Sequence, residues 1–538
     1  MGWAGSRFRE EYTSLGRPRG GGGGGEGGGA ALPQAAPQHV VDAQEAHGWG
    51  ATAERILPLK RGKKAEVRHS RERPVRTQPR PKLKLLDTSA TFSQLYLSYL
   101  GGSGDDCIQA AAAAAGDEGV WVGGWTDSVR AVDGLGIKGE RQDGFVSFLT
   151  VDGLRKFTTY VGGDGVDQIN AMVMAPDQTL WVAGSTSSRN LPLSEGSTQK
   201  AVAGKRDALV ANIGRDGAVK FLTCVGGTDT DVAHGVSVAE DGSVWVTGET
   251  QSTNFPVTQN AKRPKRGGGG SDAFVVKLFP TGEVAYSSYL SGDAGTDGGL
   301  ALAQAYDHTV WLGGLMTPQG YIENGAYFAH LDSDGGVLAS RTFGGTGSET
   351  VKGLVVLDNG NVLLAGDSSS NESLVELRDD VGADEDRPIQ RKPHLDVFLA
   401  EVSAEGELGG VALLEASAKD YLTSVALNGA AQVWVGGATM SLDLPLVGKG
   451  LSDTLKGRTD GLIAKFDLNA WRDGAKLTPL ASTYFGGAGE EVVTAVVPAS
   501  DGSVWVFGTT TSADLNPTYD ALQKAYSGGK DAFVMRLT

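Results

Sequence analysis

The residues of this 538-residue chain best suited to chemistry are carboxylates that recur beside glycine-rich turns. They are Asp105 and Asp106, Asp164 and Asp167, Asp229 and Asp231, Asp293 and Asp297, Glu349, and Glu490 and Glu491. Carboxylates gathered around a pore could hold calcium, a cation that takes about six to eight oxygen ligands. A plainer chemistry is also available to them. An Asp beside a turn accepts hydrogen bonds from the turn's own N–H groups, and a feature that appears once per repeat serves the repeat. The plainer reading is preferred; calcium is kept as the candidate metal and no other cofactor is expected.

Other constellations offer less. The run Gly344-Gly345-Thr346-Gly347 resembles a phosphate cradle but lacks the lysine and the following helix that such a loop needs. The histidines are His39, His47, His69, His234, His308, His330 and His394, and none has metal-ligand spacing with another His or Cys. Two cysteines, Cys107 and Cys224, do not make a disulfide framework. Cys224 stands where other repeats place Tyr99, Tyr160, Tyr289 and Tyr484, which predicts a packed thiol. No Gly-x-Ser-x-Gly nucleophile elbow occurs. No catalytic residue is assigned.

The elements that must position these groups repeat. Short strands are anchored at Trp121, Trp181, Trp245, Trp311, Leu363, Trp434 and Trp505, at intervals of 52 to 71 residues. Such a period indicates a blade-based array. One unit runs Ala233 to Val238, Val244 to Gly248, Asp272 to Leu278 and Val284 to Leu290, with Asp241-Gly242 and Thr281-Gly282 as turns. Four short antiparallel strands per period make one propeller blade. The first strands are rich in small residues, as in Ala110 to Ala115, which suits the crowded strand nearest the axis. The strict register of the tryptophans predicts packing between blades rather than a sugar-stacking platform.

The last unit ends after a third strand, at Leu537-Thr538, whereas Leu95 to Leu100 reads as a fourth strand with nothing before it. The two should pair and close the ring, removing both exposed edges. The expected fold is therefore all-β, a single seven-bladed propeller of four-stranded blades over 92–538, preceded by a tail, 1–91.

The units Tyr160-Val161-Gly162-Gly163-Asp164 through Trp181-Val182-Ala183-Gly184-Ser185-Thr186, and Asp241-Gly242-Ser243-Val244-Trp245-Val246-Thr247-Gly248 through Asn254-Phe255-Pro256, resemble the SBBP-type β-propeller repeat. The likeness runs over 92–538, is sharpest in blades one to three and seven, and fades in blade six, where Glu415-Ala416 replaces the glycine pair. It implies a secreted or surface protein without an assigned activity. Met1 to Gly20 carries no apolar signal core, a departure that points to an intracellular location instead.

Composition adds limits. Residues 1–90 hold 16 Lys and Arg against 9 Asp and Glu; the remainder holds 32 against 55, a charge of −23. The tail, with glycine from Gly20 to Gly29 and basic residues between Arg55 and Lys84, is expected to be disordered. An acidic body disfavours nucleic acid and favours cations or basic partners. No apolar run reaches membrane-spanning length. Loops between second and third strands, and between blades, should share one elaborate face; the Asp-Gly turns form the other. The expected function is a monomeric, non-catalytic scaffold binding protein or glycan on the loop face. The alternatives are a lyase or hydrolase working at the channel mouth, with the insertions Asn371 to His394 and Asn469 to Pro479 as the exceptional places, or a structural surface protein.

Overall fold

The computed structural model describes residues 91–128, 141–290, 295–318, 323–370, 374–377, 391–472 and 478–538. The tail with its basic stretch, Asp293, and most of the two insertions lie outside the described residues.

After an opening strand, β1 (Gln94–Leu100), four strands follow in each of the first six blades, with one detour strand in the fifth, and three in the seventh. Blade one is β2 (Asp106–Ala113), β3 (Gly119–Thr126), β4 (Asp143–Thr150) and β5 (Arg155–Val161). Blade two is β6 (Asp167–Met174), β7 (Leu180–Thr186), β8 (Asp207–Ile213) and β9 (Val219–Val225). Blade three is β10 (Asp231–Val238), β11 (Val244–Thr250), β12 (Asp272–Leu278) and β13 (Val284–Tyr289). Blade four is β14 (Gly298–Gln304), β15 (Val310–Met316), β16 (Gly325–Leu331) and β17 (Val337–Gly344). Blade five contains β18 (Glu349–Val356), β19 (Val362–Ser370), a detour β20 (Val375–Leu377), then β21 (Arg391–Val402) and β22 (Leu408–Leu414). Blade six is β23 (Asp420–Asn428), β24 (Gln432–Thr439), β25 (Asp460–Asp467) and β26 (Pro479–Phe485). Blade seven is β27 (Glu491–Pro498), β28 (Val504–Thr510) and β29 (Asp531–Leu537).

The ring closes as the chain ends predict. β1 pairs antiparallel with β29, Leu97 opposite Met535 and Leu100 opposite Ala532, so the seventh sheet has the order β1-β29-β28-β27. Each first strand touches the next, in the order β2, β6, β10, β14, β18, β23, β27 and back to β2. The protein is an all-β seven-bladed propeller. One blade departs from four strands: β20, from the blade-five insertion, crosses to pair with β17 and makes blade four five-stranded. The alanines after Ala113 also leave the strand, and a single 3-10 turn covers Ala115–Asp117.

The core lies between the blades. Trp121, Trp181, Trp245, Trp311, Trp434 and Trp505 are 1 to 5% exposed, and Leu363 occupies the equivalent site fully buried. In four blades the third-strand residue opposite the Trp covers its face. Lys277 lies over Trp245 and Lys465 over Trp434, both at 5.3 Å, and Arg536 lies over Trp505 at 5.1 Å. His330 stacks on Trp311 at 4.0 Å. Opposite Leu363 stands Glu401. A cation is drawn to the negative face of an indole, and a carboxylate is not; the exchange of Trp for Leu and of a cation for an anion in one blade follows from that.

Candidate functional site

Two tiers of polar residues surround the channel. The first lies at the seams on the loop face. Asp106, Asp167, Asp231, Glu349, Asp420 and Glu491 begin the first strands of six blades, and Asp297 stands just before β14; all are buried. Each of five accepts a hydrogen bond from the glycine turn four residues before it: Gly102 N to Asp106 at 2.6 Å, Gly163 N to Asp167 at 3.0 Å, Gly227 N to Asp231 at 2.7 Å, Gly345 N to Glu349 at 3.1 Å and Gly487 N to Glu491 at 2.8 Å. Hydroxyls at the end of the second strand complete the shell. Thr250 and Ser252 donate to Asp231, Ser368 and Ser370 to Glu349, and Thr126 and Ser128 to Asp106. Their signal in the sequence is Thr/Ser-x-Ser, for example Thr186-Ser187-Ser188, Thr439-Met440-Ser441 and Thr510-Thr511-Ser512, hydroxyls that are not among the sequence candidates above. In blade four Met316-Thr317-Pro318 breaks the pattern, and Asp297 accepts from Thr317 N at 2.9 Å instead.

Except at the seam after blade four, whose third strand begins at Gly325, a second acid on the third strand of the preceding blade meets the first across the seam. In four seams the lead glycine of the turn, Gly101, Gly162, Gly226 or Gly486, is the reason both fit. A methyl group on Gly162 would lie 2.5 Å from Asp143 Oδ1 and 2.8 Å from Asp167 Oδ2, and one on Gly101 would lie 2.6 Å from Asp531 Oδ1 and 3.0 Å from Asp106 Oδ2. Burial raises the carboxyls of Asp106, Asp167, Asp207, Asp231 and Glu491 above their usual range. Burial, with nearby hydroxyls opposing, carries Asp420 to about 6. Burial, with Asp106 adding to it, carries Asp531 to about 7. Among the described residues no group of three or more His, Cys, Asp or Glu is arranged to hold a metal ion.

The sequence candidates therefore divide. Asp106, Asp167, Asp231, Asp297 and Glu491 are internal. Asp164 is exposed, and Asp105, Asp229 and Glu490 are half-buried at the surface, with Asp229 held by Lys205 at 2.8 Å. Exposed Asp127, Asp443 and Asp514 join this outer rim, the last two accepting N–H bonds from Ser417 and Ala488 at 2.9 Å. Cys224 is buried, its thiol pushed up to about 12 by burial.

The second tier lines the channel. All seven first strands carry one bulge, at Gln109, Asn170, His234, Leu300, Lys352, Thr423 and Thr494. A bulge leaves a carbonyl out of the ladder, and the preceding blade supplies its donor. Asn170 Nδ2 donates to Ala233 O at 2.9 Å, Thr494 Oγ1 to Ile108 O at 2.6 Å, and Thr423 Oγ1 to Val493 O. Two blades carry a titratable side chain there instead. His234 Nε2 lies 3.6 Å from Glu249 Oε1. Lys352 pairs with buried Asp367, which accepts Leu422 N from blade six at 2.6 Å. These are the pairs peculiar to single blades, and sequence spacing does not reveal them because the bulge sets their direction.

Three cavities open on the other face, among the Asp-Gly turns. One of about 400 Å3 lies at the channel mouth between blades two and four, with Met172, Val236, Leu302 and the exposed Tyr306 in its wall. Two of about 240 and 310 Å3 lie in the seams either side of blade one.

Fold and seam chemistry thus define a closed β-propeller. The chain is 23% identical over 385 residues to the regulatory protein FlaEY of Caulobacter vibrioides, a match that covers 67% of this chain and 37% of that protein. This chain accordingly spans well under half the length of that relative. Solved propeller structures resemble it at low identity. They include hydrazine synthase of Kuenenia stuttgartiensis (12% identical, TM-score 0.42, covering 75% of this chain and 93% of that one) and the Pan2 WD40 domain of Neurospora crassa (11%, 0.37, 83% and 96%). BamB of Moraxella catarrhalis is a third (11%, 0.36, 83% and 100%). No family model matches the chain.

Proposed function

We propose that the protein is a non-catalytic scaffold that holds a positively charged protein or glycan partner on its loop face. One observation carries this reading. Acids exposed on that face, Asp127, Asp164, Asp443 and Asp514 with half-buried Asp105, Asp229 and Glu490 beside them, are tied to the turns, since Asp164, Asp443 and Asp514 accept the N–H groups of Arg189, Ser417 and Ala488. Such turns are rigid, so the rim presents preorganised negative charge, and ordering it costs a partner little. The acidic body extends that field and accelerates encounter with a basic surface. A catalytic reading needs an acid or base open to a substrate. Asp367 is closed in by Lys352 and Leu422, and the seam carboxyls are sealed behind hydroxyls, so neither is presented for proton transfer. The SBBP-type repeat likeness is compatible with a scaffold at a surface.

The test compares the full chain with the variant D164N/D229N/E490Q for binding of an affinity-isolated partner across a salt series. Weakening of at least tenfold at low salt, with convergence at high salt, supports the proposal. Equal binding by both proteins, or turnover of a substrate by the purified protein, overturns it.

A further inference from the structure

The Asp-Gly face carries an apolar well. It is the cavity of about 400 Å3 at the channel mouth, within the usual range for ligand clefts of about 300–1,000 Å3. Met172 of blade two, Val236 and Val238 of blade three and Leu302 of blade four form its wall. Met172, Val238 and Leu302 are only half-buried there. Two residues past the bulge, these three blades place Met172, Val236 and Leu302, whereas blade one places Ala111. The inner strand therefore does not itself require large side chains at this level.

The rim of the well has a different character. Tyr306, in the turn between β14 and β15, is 75% exposed. Glu240, in the turn between β10 and β11, has a side chain 75% exposed. His308 Nδ1 stands 4.0 Å from Glu240 Oε2. His308 takes a φ of 68°, where the matching turn of blade three uses Gly242 at 79°. A side chain held in this region strains the backbone, and such strain gathers at working sites. The matching turns of blades two to five carry Asp177, Glu240, Asp241, Asp307 and Asp358, all exposed, and neither lysine nor arginine. Lys277 acts on Asp241 from the third strand, where it covers Trp245 and donates to Ser333 O at 2.7 Å.

We infer that this well is the docking site of a partner protein, which inserts one long aliphatic side chain between blades two and four and sets lysine or arginine on either side of it against Glu240, Tyr306 and the arc of acids. Each part of the site selects one part of the occupant. The wall of Met172, Val236 and Leu302 gains by shedding water onto an apolar side chain. An exposed tyrosine ring attracts a cation to its face, and the carboxylates of the inner turns complement the same charge. A tyrosine beside a desolvated pocket is also the usual anchor of a protein interface. A second copy of this chain fits poorly, because it would bring the same arc of acids against itself, a like-charge arrangement that costs affinity. Nucleic acid is repelled for the same reason. The well lies on the face opposite the acidic loop rim, so it stands whether or not that rim binds.

A fluorescent heptapeptide, Gly-Arg-Lys-Leu-Arg-Lys-Gly, tests this against the full-length protein. Anisotropy should report saturable binding. Affinity should fall about tenfold when serine replaces the leucine, and about tenfold when glutamates replace the four basic residues. Glu240→Gln should weaken binding about two- to fivefold, and the double variant E240Q/Y306A about tenfold. Both side chains are largely exposed, so these variants should melt as wild type does. The D164N/D229N/E490Q protein should bind the peptide unchanged, which separates this site from the loop rim. Hydrogen exchange should show added protection at amides within 239–243 and 305–309 on peptide addition. No saturable binding, equal binding of the serine peptide, or protection confined to other segments would each overturn the inference. Loss of binding in D164N/D229N/E490Q would place the peptide on the loop rim and overturn it as well. A concentration-dependent dimer dispersed by Tyr306→Ala would overturn it in favour of a second copy as occupant.

Discussion

Asp531 and Asp106 meet across the seam that β1 closes, with Gly101 between them. The Asp531 carboxyl, carried to about 7 by burial and by Asp106, binds its proton more tightly in the folded chain than in the unfolded one. A carboxyl of this kind contributes stability that is present in full below its unfolded pKa, about 4, and is lost as pH rises through its folded value. Stability should therefore fall between about pH 4 and pH 7, with Asp420, at about 6, adding in the same direction. Asp531→Asn keeps an oxygen for Ser527 N and Gln523 Nε2. It should raise the melting temperature at pH 8 and flatten its slope between pH 5 and pH 8; a steeper slope than wild type would contradict the raised Asp531 carboxyl. Tyr289 tests another single group. Its hydroxyl donates to Ser252 O at 2.7 Å and accepts from Phe255 N at 3.1 Å in a buried site. Tyr289→Phe strands both partners and should cost about 1–3 kcal/mol in chemical denaturation.

At the scale of the strand, the Gly that follows each Trp by three residues has a definite partner. It sits opposite the residue before the bulge in every first strand, as Gly248 does with Ala233. A methyl group on Gly248 would lie 1.9 Å from Val232 O, a backbone atom that cannot step aside without moving the bulge. Gly248→Ala should cost at least about 2 kcal/mol, near the upper part of the usual range for overpacking. Full stability would show that the bulge adapts freely. Trp245 supports the same strand from its other end, packed against Tyr286 and covered by Lys277. Trp245→Ala should cost about 3–5 kcal/mol, while Lys277→Met, which keeps the stem over the ring, should cost under about 1 kcal/mol, the exposed limit for a cation on a ring.

For the molecule as a whole, closure rests on β1. Tyr99 bonds Ser512 O at 2.9 Å and Leu515 N at 3.1 Å, and Leu97, Tyr99 and Phe92 belong to the core shared by blades six and seven. Removing residues 1–100 opens the ring at two edges and strips that core, whereas a chain beginning at Thr91 keeps every described residue. The shorter chain should melt at least about 10 °C lower or fail to fold; equal melting temperatures by calorimetry would show that closure contributes nothing. The scale of that shift follows from the several kcal/mol lost with multiple buried aromatic and aliphatic side chains.

Much of this was legible in the chain itself. Alternation of apolar residues, Asp-Gly turns and the recurring Trp specify four strands per repeat. The unmatched strands at Leu95 and Leu537 specify how the ring must close, because an unpaired edge is costly wherever it lies. The turn-capping role of Asp106, Asp167, Asp231 and Glu491 was also readable, since a carboxylate and a glycine turn four residues apart satisfy each other locally. Tertiary structure decided the rest. Which carboxyls share a seam, as Asp531 and Asp106 do, depends on side chains hundreds of residues apart that only closure brings together. The His234–Glu249 and Lys352–Asp367 pairs depend on a bulge that re-aims one residue per strand, a change of direction that alternation alone does not encode. The pairing of β20 with β17 of blade four was decided there too, because a strand can join another sheet only where the fold brings that sheet's edge within hydrogen-bonding reach.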